Sequence, residues 1–254
     1  MKKNVTEVIF VLDGSGSMSG LMTQAKKNLD DQINTLKSAS GPNDQYNVTV
    51  INFDDSLKTT LISKPVGEID QGSRFYVNGG GMTRLYDAVA EAVRFANSLD
   101  DGNRAFLISV VTDGAENQSV SRLHDVANAV ASATSKDRFS FVYAGPKGSQ
   151  QAASALGFPT GNVTFWDQTV EGTKHLGVTT RSSLATYTDT RSAGVMKSSS
   201  FYAQPTTLDA AKFADKLDDK LDDVSKDVVV KRVGNSDPIV ISKFCEAKFG
   251  SFEK

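Results

Sequence analysis

The chain has 254 residues, 39% of them hydrophobic and 23% charged, with a formal net charge of −2. Those proportions are ordinary for a globular protein, and the near-neutral balance gives no electrostatic reason to expect a nucleic acid or an anionic membrane as partner. The single cysteine, Cys245, excludes an intrachain disulfide and fits a reducing compartment, so a cytoplasmic setting is expected.

The first apolar run, Val8–Leu12, is bounded by Glu7 and Asp13 and is too short for a secretory core, so it reads as a strand over Val5–Leu12. Leu21, Ala25, Leu29, Ile33 and Leu36 repeat at helical spacing and predict a helix over Leu21–Leu36. A second strand is predicted over Asn47–Phe53. One or two short strands are expected over Leu57–Val66, before the loop at 67–72. Thr83–Leu99 reads as a helix, with Leu85, Ala88, Val89, Ala92, Val93 and Ala96 on one side. Ala105–Thr112 is the most apolar strand. A helix over Ser121–Ser135, strands over Phe139–Ala144 and Val163–Trp166, and a helix near Thr173–Thr190 follow. No run has the ~18 apolar residues of a membrane span.

Near-continuous apolar strands indicate burial on both faces, and their alternation with helices implies a mostly parallel sheet between two helical layers. The expected fold class is α/β, a Rossmann-like three-layer sandwich. The expected organisation is one domain over residues 1–200 and an extension over 201–254. In that extension Thr206 caps a helix to about Val224, with Asp218, Asp219, Asp222 and Asp223 on a solvated face, and Val228–Val233 reads as a strand.

In such folds ligands sit beyond the carboxyl ends of the strands. Two strands end there in aspartates. Asp13-Gly14-Ser15-Gly16-Ser17 has the form D-x-S-x-S, and Val111-Thr112-Asp113-Gly114 closes the Ala105 strand. Between them, Gly79-Gly80-Gly81-Met82-Thr83 places a threonine after a flexible loop at the predicted start of a helix. Each piece alone is an ordinary turn or cap. Together they offer small oxygen donors of the kind a hard divalent cation requires.

On these three pieces the chain resembles the von Willebrand factor type A family, with a complete metal-ion-dependent adhesion site. The strand and helix order from about Val5 to Trp166 agrees, and Gly81–Ala88 is similar to the threonine segment of stand-alone microbial and phage members. The resemblance weakens toward Ala193 and does not extend over Thr206–Lys254. It implies that Ser15 and Ser17 bind the ion directly, that Thr83 binds directly in one state and through water in another, and that Asp13 and Asp113 act largely through bridging water. It implies Mg²⁺, with Mn²⁺ and Ca²⁺ as alternatives, and a protein partner that presents an Asp or Glu to an open coordination position. Glu116, shortly after Asp113, is assigned to the rim of that site or to solvated surface.

The function expected is therefore a non-enzymatic, metal-dependent protein-binding module. Two alternatives follow from the same residues. The ion is structural, within a larger assembly; or Gly14-Ser15-Gly16 and Asp54 belong to a dinucleotide-binding enzyme, although Ser19 stands where the third glycine of that fingerprint belongs. No phosphate-loop or nucleophile-elbow motif occurs. His124 and His175, the only histidines, fall in or near predicted helices and read as surface or packing residues.

Overall fold

The computed structural model describes residues 3–114 and 116–202, together with the strands at 228–231 and 239–242. The chain divides into two compact units, Met1–Ala203 and Gln204–Lys254.

The first unit is built on a six-stranded sheet. Its strands are β1 (Asn4–Asp13), β2 (Asp44–Phe53), β3 (Leu57–Pro65), β4 (Ala105–Val111), β5 (Phe139–Pro146) and β6 (Val163–Trp166). Their spatial order is β3-β2-β1-β4-β5-β6. All neighbours are parallel except β3, which returns antiparallel along β2 as one bulged strand. The helices are α1 (Met22–Ala39), α2 (Leu85–Ser98), α3 (Leu123–Thr134), α4 (Gln150–Ala155) and α5 (Val170–Ser192).

Alternation along β1 explains the two layers. Val8, Phe10 and Leu12 point to one face and pack with Leu29, Ile33 and Leu36 of α1 and Leu176 and Leu184 of α5. Ile9 and Val11 point to the other and pack with Leu85, Val89 and Val93 of α2 and Val126 and Val130 of α3. A strand covered on both sides has no polar face to show, which is why β1 reads as a continuous apolar run. Each such side chain contributes roughly 1.5–3 kcal/mol by leaving water, so a charge at Ile9 or Phe10 would break the sandwich.

β1 lies between β2 and β4, so the winding of the chain reverses there. That reversal leaves a crevice at the carboxyl ends of β1 and β4, where Asp13 and Asp113 stand.

Two features differ from expectation. α2 starts at Leu85, not at Thr83, and its N-cap position is Arg84, whose side chain makes no capping bond. Thr83 is thus released from the helix. The six-residue α4 is too short to leave a periodic signature. In the second unit β7 (Val228–Lys231) and β8 (Ile239–Ser242) pair antiparallel. The helix expected over 206–224, its aspartates and Cys245 lie outside the described residues.

Candidate metal centre

Asp13 closes β1 at the centre of the sheet and is fully buried. Its Oδ1 accepts a 2.8 Å hydrogen bond from the Ser15 amide, and its Oδ2 accepts a 2.5 Å bond from Thr112 Oγ1. The Tyr76 hydroxyl donates to the Asp13 carbonyl at 2.7 Å. The turn that follows is tight. A Cβ on Gly14 would lie 2.7 Å from the Val77 carbonyl oxygen, so only glycine lets the two loops approach.

The turn brings Ser15 Oγ to 3.2 Å from Ser17 Oγ. Ser17 Oγ then donates a 2.6 Å bond to Asp113 Oδ1, joining the loop after β1 to the loop after β4. Thr83 comes in beside them. Its Oγ1 is 3.2 Å, and Ser17 Oγ 3.8 Å, from the position a Cβ on Gly114 would take. All five side chains singled out in the sequence therefore gather at one place. Ser15, Thr83 and Asp113 are each at most 4% exposed, and Ser17 faces solvent.

Burial raises the pKa of both carboxyls. For Asp13, hydrogen bonds from Ser15 and Thr112 offset this only in part. For Asp113, burial leads, the Ser17 bond opposes it, and the nearby charge of Asp13 raises the pKa further. Among the described residues neither carboxylate has an ion-pair partner. Two desolvated anions side by side are costly unless a cation joins them. No group of three His, Cys, Asp or Glu gathers among the described residues, so hydroxyls must complete any cation's shell. An all-oxygen set of two carboxylates and three hydroxyls fits a hard divalent ion.

A family model for the von Willebrand factor type A domain matches residues 7–157. The chain belongs to this family. No curated protein matches this von Willebrand factor type A protein in sequence. Solved structures share its fold. Proximal thread matrix protein 1 from the mussel byssus, in a structure with a zinc-occupied MIDAS motif, aligns with 15% identity and a TM-score of 0.56 over 70% of this chain and 47% of that one. A second crystal form of the same mussel protein gives 14% identity and a TM-score of 0.55 over 69% and 47%. A von Willebrand factor type A protein from Catenulispora acidiphila gives 20% identity and a TM-score of 0.48 over 70% and 42%. The chain thus spans less than half the length of these proteins. At such identities the likeness to the mussel protein speaks for the fold alone.

Residues that sequence reasoning passed over hold this arrangement together. Asn117 bonds both backbone groups of Thr83. Its side-chain Oδ1 accepts from the Thr83 amide at 2.8 Å, and its backbone N–H donates to the Thr83 carbonyl at 3.2 Å. Asp55 Oδ1 accepts from the Met82 amide at 2.7 Å. Gln168, in the loop before α5, donates to the Asp113 carbonyl. Only Thr112 carried a sequence signal, as the neighbour of Asp113.

Glu116 is neither a rim ligand nor a freely solvated residue. Its carboxylate accepts from the amides of Tyr86, Gln118 and Ser119 and from Ser119 Oγ, so it caps the first turn of α2. Asp54 accepts from the amide and hydroxyl of Ser56 and so stabilises its own turn. The amides a dinucleotide phosphate would need are spent within the protein. Gly14 donates to Phe53, Ser15 to Asp13, and Gly16 to Gly81. His124 and His175 are exposed on α3 and α5. Beside the site, a cleft of about 580 Å³ reaches Gly114 and is walled by Leu85, Tyr86, Leu123, Pro146 and Ala152. No helix among the described residues is long and apolar enough to cross a membrane.

Proposed function

We propose that this domain binds a divalent cation, Mg²⁺ with Mn²⁺ or Ca²⁺ as alternatives, through Asp13, Ser15, Ser17, Thr83 and Asp113. The bound ion serves to hold an acidic side chain of a protein partner. The observation that carries this reading is the 2.6 Å bond from Ser17 to Asp113, beside Thr83, at the switch point of the sheet.

The chain's own groups divide the work. Ser15, Ser17 and Thr83 offer hydroxyl oxygens without adding charge. Asp13 and Asp113 neutralise part of the ion's charge from behind. When bound, the cation supplies the opposite charge that repays a partner carboxylate for its lost hydration. Ser17 faces solvent, so the open side of the site lies there, and the adjoining cleft at Gly114 leaves room for the partner's flanking residues. Hydroxyl-rich sites favour binding over water activation, and we read the domain as an interaction module rather than an enzyme. A cytoplasmic setting, suggested by the single cysteine, belongs to the same proposal.

Isothermal calorimetry with Mg²⁺ tests the metal step, and selection of displayed acidic peptides in Mg²⁺ against chelator tests the partner step. Asp13→Ala and Asp113→Ala should abolish the heat of binding. Thr83→Ala should reduce peptide capture more than it reduces the melting temperature. Equal Mg²⁺ binding by wild type and both aspartate variants, or peptide capture indifferent to chelator, refutes the proposal.

A further inference from the structure

The paired bonds between Asn117 and Thr83 tie the second and third loops of the site into one body. Thr83 belongs to neither a strand nor a helix, since α2 starts only at Leu85. A residue so placed depends on outside contacts for its position. Its amide and its carbonyl are both held by Asn117, at 2.8 and 3.2 Å. The residues on either side of Asn117 anchor that loop in turn. Glu116 accepts from the Tyr86 amide at 3.0 Å. Ser119 Oγ accepts from the Asp87 amide at 3.1 Å, and Asp87 accepts from the amides of Val120 and Ser121 at 3.0 and 2.8 Å. The amides left free at the start of α2 are thus satisfied by the loop that carries Asp113.

We infer that Asn117 is a positioning residue that sets where Thr83 Oγ1 stands relative to Ser17 and Asp113, and so sets the affinity of the site for its cation. This rests on the metal-binding reading above. Asn117 is exposed and packs into no core, so its removal takes away little burial. Its side chain acts through one acceptor atom. The oxygen must face Thr83, because an amide N–H can donate only to Oδ1 and not to the amide nitrogen. Groups that orient metal ligands in this way typically govern affinity by about 10–100-fold.

The test compares wild type with Asn117→Ala and Asn117→Asp. Asn117→Ala removes the acceptor, and Asn117→Asp keeps it. Mn²⁺ binding is followed by electron paramagnetic resonance, melting temperature is measured without metal, and amide hydrogen exchange at Thr83 is read by NMR on the metal-free protein. In Asn117→Ala, Mn²⁺ affinity should fall about 10–100-fold and Thr83 exchange should accelerate, with little change in metal-free melting. Asn117→Asp should restore both slow exchange and affinity. Wild-type Mn²⁺ affinity in Asn117→Ala, or loss of affinity only in step with a large fall in melting temperature that Asn117→Asp does not rescue, overturns the inference. Failure of wild type to bind Mn²⁺ sinks the metal reading instead. The exchange rate at Thr83 still judges the clamp in that case, since unchanged protection in Asn117→Ala refutes it whatever the metal does.

Discussion

Thr112 Oγ1 donates a 2.5 Å hydrogen bond to Asp13 Oδ2 across the boundary between β4 and β1. The register of the two strands places Leu12 opposite Val111, so the residue after each pair member meets its counterpart at the end of the ladder. A hydroxyl buried there stabilises a carboxylate that has no ion-pair partner among the described residues. Thr112→Val keeps the volume and removes the donor. A lost bond to a charged group costs about 1.5–3 kcal/mol, so chemical denaturation should show a loss of that order. Thr112→Ser, which keeps the hydroxyl, should recover most of it.

Asp13 and Asp113 hold their protons more tightly in the folded chain than in the unfolded one, because burial raises both pKa values. The contribution of these two groups to the metal-free fold should therefore be complete at low pH. It should be lost as pH rises from the unfolded value of about 3.9 through the raised ones. Mg²⁺ needs both groups ionised, so its effect on melting should grow over the same window. At 100 times its dissociation constant the ion should add about 2.7 kcal/mol. Asp113→Asn should raise the metal-free melting temperature at neutral pH and remove the response to Mg²⁺.

Asp87 behaves in the opposite sense. Burial opposes its charge, but hydrogen bonds from Ser121, Val120 and Arg84 outweigh burial and lower its pKa to about 2. Its contribution is complete above the unfolded value of about 3.9 and is lost as pH falls toward 2. Asp87→Asn should cost about 1.5–3 kcal/mol at pH 7. The difference from wild type should shrink in acid, and urea titrations at pH 7 and pH 3 would show it.

Gly114 is defined by what is near it. A methyl group there would sit 3.2 Å from Thr83 Oγ1 and 3.8 Å from Ser17 Oγ. Gly114→Ala should therefore weaken Mg²⁺ binding, by about 10-fold or more, while metal-free melting changes little. Calorimetry alongside a thermal melt separates the two effects.

Much of this was legible without coordinates. The apolar runs of β1 and β4 and the stripes of α1 and α2 report burial directly, since a segment's periodicity reflects its own surroundings. Asp13, Ser15 and Ser17 were legible because they share one turn. Asp113 was legible from its place at the end of an apolar strand, where the fold class gathers ligands, whereas Thr83 was legible only through resemblance, as nothing local links it to that turn. The clamp at Asn117 and the cap at Glu116 left no mark, because a polar Asn or Glu in a loop looks alike in sequence whether it bonds a distant amide or water. The start of α2 was misplaced for the same reason. Its first amides are satisfied by residues 116 and 119, not by a local cap.

The sequence by itself determined the alternation of strands and helices, the oxygen-only chemistry of the three loops, and the position of two aspartates at strand ends. These follow from side-chain polarity and spacing within a few residues. Tertiary structure decided that β1 lies between β2 and β4, that Ser17 meets Asp113, and that Thr83 is held by Asn117. Those outcomes depend on strand order and register. Register is settled by packing both faces of the sheet at once, a constraint that no single stretch of chain contains.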